Sequence, residues 1–221
     1  MEKGMKILKA EEAFDKSAKI YEQKFMDVSL YAEPFKVFCN NIPNDNADIL
    51  DIACGPGNIT RYLLANKPGY QILGIDLSPR MLGLASTNNP QARFQLMDCR
   101  EIDTIKQKFD GITCGFCIPY LTEQEALKLI ENASKLLKPN GVLYLSTMVE
   151  DGNSRSRYQT SSTGDQVYVH YHRETYLSKG LQTCNFETLD LKRYSANDKD
   201  GLTITDLVLV CKIRSSAGPQ K

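Results

Sequence analysis

The sequence predicts an α/β protein: a three-layer, doubly wound, mostly parallel seven-stranded sheet with an antiparallel carboxy-terminal hairpin and an amino-terminal helical lid. Three observations carry that expectation. Five apolar, β-branched runs alternate with stretches of helical periodicity between residues 49 and 147, and such alternation builds parallel strands joined by helical crossovers. Beyond Thr147 the rhythm changes to two long period-two runs across a polar turn, the pattern of an antiparallel pair. Ahead of the first strand lies an amphipathic helix that follows no strand.

That first helix spans Ala10 to Phe25, with Phe14, Ala18, Tyr21 and Phe25 at helical spacing and Glu11, Glu12, Lys16, Lys19 and Glu22 elsewhere on the wheel. A second helical stretch, Pro34 to Asn40, ends at the breakers Asn41 to Asn46. Strands are then expected at Ile49 to Ala53, Gln71 to Ile75, Arg93 to Leu96, Gly111 to Cys114 and Val142 to Thr147. Helices fall between them at Ile59 to Asn66, Arg80 to Thr87 and Glu123 to Leu137. A polar loop, a short strand at Val167 to Tyr171 and a helix at Glu174 to Lys179 come next. The runs Thr183 to Tyr194 and Leu202 to Ile213, hinged at Asn197 to Gly201, close one edge of the sheet. Residues 215–221 are small, polar and proline-containing, and are expected to fray.

Bulk properties narrow the partners. At 221 residues the chain has the length of one domain, against roughly 100–200 residues as the usual range. Lys plus Arg equals Asp plus Glu, 27 each, so there is no long-range field to gather phosphate or anionic lipid. Nucleic acid and membrane partners are therefore not expected. No apolar run approaches the ~20 residues that span a bilayer, and residues 1–10 are too polar for a signal-peptide core, which makes the cytoplasm the expected location. The seven cysteines lie mostly in apolar segments and are expected reduced.

The candidate chemistry sits at the ends of the first strands. In Asp51-Ile-Ala-Cys-Gly-Pro-Gly57, Gly55 and Gly57 allow a sharp turn and a close backbone approach to a ligand. Asp51, just below that turn, is placed to align the loop and attract an ammonium, while the next helix offers free amides to a carboxylate. Asp76 ends the second strand, where an acid reaches ribose hydroxyls, and Leu77 and Met81 follow it to flank a base. Asp98 follows the third strand, so that its carboxylate and the Cys99 amide can read an adenine edge. Thr60 stands where a dinucleotide fingerprint has its third glycine, and the chain lacks a second mononucleotide half. A mononucleoside cofactor fits better than a dinucleotide.

These strings resemble the class I S-adenosylmethionine-dependent methyltransferases, with a Rossmann-like sheet and small-molecule acceptors. The resemblance runs from Phe14-Asp-Lys-Ser-Ala-Lys-Ile-Tyr21 through Ile49 to Gly57, Gly74-Ile-Asp-Leu-Ser78 and Met97-Asp98, and on to Phe109-Asp-Gly-Ile-Thr-Cys114 and Leu137-Lys-Pro-Asn-Gly-Val-Leu-Tyr144. It implies direct in-line transfer of a methyl group from S-adenosylmethionine to a small molecule, leaving S-adenosylhomocysteine. It also implies cofactor contact by Asp51, Gly55, Gly57, Asp76, Leu77, Met81, Asp98, Cys99 and Gly115, and by Tyr21 from the lid. On this reading residues 1–214 form one domain: lid 1–45, cofactor-binding core 46–147, substrate-side insertion 148–182 and hairpin 183–214. One departure stands out, Pro119, where many members carry a histidine ahead of Tyr120 and Leu121, so a catalytic base does not carry over there.

Other candidates are weighed on their own chemistry. Tyr168, His170 and His172 share one face of a short strand by period two, and His170, His172 and Tyr21 are the candidate general bases. A polar outer face serves equally well for the two histidines. Arg155, Arg157 and Arg173 read as solvated surface, and Phe14 and Tyr21 as a core-facing stripe that also caps the site. Cys114-Gly-Phe-Cys117 is either a dithiol or a pair of small residues beside the cofactor; no second pair completes a zinc tetrad, so no metal is expected. The rival functions are a nicotinamide-dependent oxidoreductase, a non-catalytic S-adenosylmethionine-binding module and a thiol oxidoreductase.

Overall fold

The structure, a computed structural model, describes residues 7–150, 155–161, 163–197 and 201–214. The expected fraying of 215–221 and the centre of the turn at 198–200 lie outside the described residues. Helices α1 (Ala10–Phe25) and α2 (Ala32–Asn40) precede strand β1 (Asp48–Ile52). Alternation follows through α3 (Asn58–Asn66), β2 (Gln71–Asp76), α4 (Pro79–Asn88), β3 (Arg93–Leu96), β4 (Phe109–Gly115), α5 (Glu123–Leu136) and β5 (Leu137–Met148). The chain continues through β6 (Arg157–Thr160), β7 (Gln166–Val169), α6 (Glu174–Thr183), β8 (Phe186–Asn197) and β9 (Thr203–Ile213).

Seven strands form one sheet in the order β3-β2-β1-β4-β5-β9-β8. The first five are parallel; β9 runs antiparallel to β5, and β8 antiparallel to β9. The order reverses between β1 and β4, and ligands of open α/β sheets bind outside the carboxyl ends of the strands at that switch point. Both faces are covered, which is why the strands read as near-continuous apolar runs. On one face Leu50, Ile52, Ile112, Leu143 and Leu209 pack with Leu129, Ile130 and Ala133 of α5 and Leu177 and Leu181 of α6. On the other, Ile49, Tyr144, Val208 and Val210 pack with Phe35 and Phe38 of α2 and Leu63 and Leu64 of α3. The α5 start is fixed by a capping box, Thr122 receiving the Glu125 amide while the Glu125 carboxylate accepts from the Thr122 amide.

Three expectations need correction. The segment after Thr147, read as polar loop followed by one short strand, holds a two-stranded ribbon, β6 paired with β7, separate from the main sheet. Strand β7 ends at Val169, two residues early, because the backbone then turns to bond the loop after β4 and the end of β5. The helix expected to stop at Lys179 runs to Thr183, since Leu181 still has core to cover, and the first hairpin strand starts at Phe186.

Helix α1 lies between α4 and the ribbon. Asp15 accepts from the Ser78 hydroxyl at 2.7 Å and the Arg80 amide at 3.0 Å, and Glu22 from Asn88 at 2.8 Å. On its other side the Leu8 amide donates to the Gln166 carbonyl at 2.9 Å. These bonds hold the helix as a cover over the strand ends.

Candidate functional site

Past β1 the chain turns through three left-handed residues, Ala53, Gly55 and Gly57, with φ of +53°, +54° and +80°. Gly57 stands at the cap of α3, and a Cβ there would sit 2.3 Å from the Asn89 side chain, so its bareness serves packing rather than ligand approach. Gly55 differs: a Cβ there would meet only the Tyr21 ring, at 3.8 Å. Its amide donates to an Asp76 carboxylate oxygen at 2.9 Å, which ties the loop to the end of β2. The second Asp76 oxygen accepts from the Ser78 amide at 2.8 Å, and Ser78 in turn caps α4 at the Met81 amide. Burial pushes the Asp76 carboxyl above its ordinary range, against the hydrogen bonds it accepts.

A cavity of about 440 Å³ opens under α1 at these strand ends. Gly55, Asp76, Leu77, Met81, Asp98, Cys99, Gly115, Tyr21 and His170 all line it. Burial, with the nearby Asp76 charge, pushes Tyr21 up to about 12, which keeps its phenol neutral. Asp98 is gripped by Arg100, with contacts from Nε to both oxygens at 2.9 Å and from Nη2 at 2.6 Å, and Arg100 reaches on to Glu125 at 3.3 Å. Although burial opposes its charge, hydrogen bonds from Arg100 hold Asp98 below the usual carboxylate range.

Asp51, Gly57 and His172 do not line the cavity, which corrects the expectation for each. The Asp51 carboxylate is fully buried and accepts from the hydroxyls of Thr60 at 2.7 Å and Thr113 at 2.8 Å, so it pins α3 and β4 to β1 instead of facing a ligand ammonium. Burial pushes its carboxyl up to about 6. Thr60, at the third glycine position, is therefore a hydrogen-bond donor the interior uses. His172 is 3% exposed, with Nε2 at 2.7 Å from the Ile118 carbonyl and Nδ1 against the Tyr176 hydroxyl. Neither ring nitrogen is left to take a substrate proton.

His170 remains exposed to the cavity, and its amide donates to the Pro119 carbonyl at 2.8 Å. The ribbon thus brings a histidine beside the turn where residue 119 itself supplies none. Burial holds His170 below its ordinary value, so the ring is neutral near pH 7. Phe14, Phe116, Tyr120, Leu121, Met97, Arg100 and Tyr168 also line the cavity. Phe14 and Tyr168 were legible from their spacing and Met97 from its place beside Asp98, while Phe116 has a local signal in its place just beyond a strand end; its φ of +52° is held by its amide bonding Ser146. The remaining wall residues reach the cavity only through tertiary packing. Cys114 and Cys117 are buried, and contact with Cys114 together with burial pushes the Cys117 thiol well up, which removes the thiolate a redox dithiol needs. Among the described residues no group of three His, Cys, Asp or Glu could hold a metal ion, and no helix is long and apolar enough to cross a membrane.

Residues 49–141, the stretch that supplies most of β1, all of β2 to β4 and the acids Asp51, Asp76 and Asp98 at or just beyond the strand ends, match the methyltransferase domain family model. That stretch of the chain is similar to a methyltransferase domain. The trans-aconitate 2-methyltransferase of Enterobacter sp. (strain 638) is 37% identical over 100 residues, 45% of this chain and 38% of the relative. The chain spans between 38% and 49% of the length of the curated relatives it matches. Among solved structures, the N-methyltransferase NodS from Bradyrhizobium japonicum WM9, in complex with S-adenosyl-L-homocysteine, superposes with a TM-score of 0.70 at 15% identity, covering 94% of this chain and 100% of NodS. The cyclase SpnF gives a TM-score of 0.65 at 15% identity, covering 84% of this chain and 81% of its own. At that identity both report the shared fold alone.

Proposed function

We propose that this chain transfers the methyl group of S-adenosylmethionine to a small-molecule acceptor. One observation carries the reading: Gly55 from the loop after β1, Asp76 at the end of β2 and Asp98 just after β3 converge on a single cavity under α1 whose far wall presents a neutral imidazole, His170. The residues present fit the cofactor. Gly55 leaves the loop bare on the side of Tyr21, Asp76 offers carboxylate oxygens for ribose hydroxyls, and Leu77, Met81 and Met97 give an apolar slot for a flat base. The Cys99 amide and the ionised Asp98 are assigned to its polar edge.

When bound, the cofactor supplies an electrophilic methyl group on a sulfonium, so the protein's task is alignment and exclusion of water. Phe14 and Tyr21 of α1, with Tyr120, close the cavity over the strand ends, their rings stacked edge to face. An acceptor that must lose a proton from oxygen or nitrogen gives it to a ring nitrogen of His170. Arg100 is held by Asp98 and Glu125 within the cavity wall, and Lys9 is the other cationic side chain among the described residues lining it. Seven free thiols suit a reducing cytoplasmic setting.

Titration calorimetry with S-adenosylmethionine, S-adenosylhomocysteine and NAD, followed by labelled methyl transfer into a metabolite extract, tests the reading. Binding of the first two with label appearing in a small molecule is the expected result. Binding of NAD alone would overturn it, and cofactor binding without any transfer would reduce the chain to a binding module.

A further inference from the structure

The row of rings that begins at the cavity wall continues into the interior. Tyr168 and His170 lie 4.9 Å apart, His170 and His172 6.0 Å, and His172 and Tyr176 5.8 Å. At the buried end His172 uses both nitrogens. The Ile118 carbonyl only accepts, so Nε2, 2.7 Å away, carries the proton and donates. A neutral ring then leaves Nδ1 as the acceptor for the Tyr176 hydroxyl.

The backbone around it is fastened on both sides. The His172 amide donates to Met148 at 3.0 Å and its carbonyl accepts from Glu150 at 3.0 Å, joining it to the end of β5. The His170 amide donates to Pro119. Two consecutive carbonyls, Ile118 and Pro119, thus receive bonds from one three-residue segment immediately before Tyr120, which lines the cavity.

We infer that His172 is a positioning residue: by bridging the Ile118 carbonyl and the Tyr176 hydroxyl it clamps the turn carrying Tyr120 against the segment carrying His170, and so fixes His170 on the cavity wall. The inference rests on the methyl-transfer reading only for the task given to His170. A phenylalanine would fill the same space but leave a buried carbonyl and a buried hydroxyl unpaired. Glutamine keeps one donor and one acceptor. The charged and titratable groups facing the pair are Glu123 and Tyr176 at His172, with Arg173 beside Tyr176, and Glu125 and Tyr168 at His170; burial outweighs them at both rings.

The chain has only two histidines, so nitrogen-15 NMR of the full-length protein resolves each ring without ambiguity. His172 should hold the Nε2–H tautomer and stay neutral near pH 7, while His170 titrates below the ordinary imidazole value. In His172→Phe the His170 midpoint should rise by roughly half a unit as the wall loosens and water enters. His172→Gln should leave it in place, and calorimetric affinity for S-adenosylhomocysteine should change less than about threefold in both, a margin under ~1 kcal/mol. An unmoved His170 midpoint in His172→Phe, a freely titrating His172, or a glutamine variant as disturbed as the phenylalanine one overturns the inference. Should His172→Phe fail to fold, Tyr176→Phe removes a single hydroxyl and must shift His170 in the same direction; no shift there is equally fatal. Loss of the methyl-transfer reading shows separately, as wild-type protein that binds no S-adenosylhomocysteine while its histidine spectra still report the clamp.

Discussion

Asp51→Asn separates two roles for the same residue. As a ligand for the cofactor's ammonium, the carboxylate should control affinity; as a buried strut between Thr60 and Thr113, it should control stability. Its folded pKa of about 6 stands well above the ordinary aspartate value of 3.8, and each unit between them corresponds to about 1.4 kcal/mol. A carboxyl raised on folding contributes fully below the unfolded value, and that contribution is lost as pH rises through the folded one. Ionised Asp51 therefore costs the wild type about 3 kcal/mol above pH ~6, relative to acid. Asparagine is isosteric, does not titrate, and can still accept from one threonine and donate to the other once a hydroxyl rotates. Urea denaturation of both proteins from pH 4 to pH 8 should show near-equal stability at the acid end. Between pH ~4 and ~6 the variant should gain on the wild type by up to about 3 kcal/mol and then hold level. Affinity for S-adenosylhomocysteine should stay within about threefold. A stability difference independent of pH, or a tenfold loss of affinity at pH 7, would refute the strut.

Three further outcomes follow from the same geometry. Asp76→Ala removes the acceptor that organises Gly55 and faces the cavity, so calorimetry should register a loss of about 1–3 kcal/mol in S-adenosylmethionine binding; an unchanged dissociation constant would place the ribose elsewhere. His170→Gln should lower the rate of labelled methyl transfer by roughly 10²–10⁴ while cofactor affinity holds, and the wild-type rate should rise with pH to a plateau reached from a midpoint below ~6.5. Equal rates in the two proteins would remove His170 from the chemistry. Gly57→Ala puts a Cβ into a left-handed turn and 2.3 Å from the Asn89 amide, which should cost about 2–3 kcal/mol in denaturation with little effect on cofactor affinity.

The parallel core was legible because burial on both faces writes itself into the chain as apolar runs at regular spacing. The ribbon was not. Arg157-Tyr-Gln-Thr160 has no continuous apolar face, and its partner strand is held by the Leu8 amide from the far end of the chain and by the Lys16–Asp165 ion pair at 3.2 Å. Without that ribbon the position of His170 could not be read. Period-two spacing put Tyr168, His170 and His172 on one face of a short strand; the strand ends at Val169, and although the three rings still follow one another, the spacing carried no information on where the cavity ended.

The glycine loop shows the same division. Its spacing after an apolar run, with acids closing the next two strands, is a local property, and it was enough to indicate a nucleoside site at the switch point of a doubly wound sheet. Which strand-end acid faces the cavity depends on Thr60 on α3 and Thr113 on β4 both turning their hydroxyls toward Asp51, while Asp76 meets only backbone amides and stays open to the cavity. Residue type and spacing could place an acid at a strand end. Only packing, by supplying or withholding a hydrogen-bond partner in the interior, decided whether its charge became a strut or stayed open to the cavity.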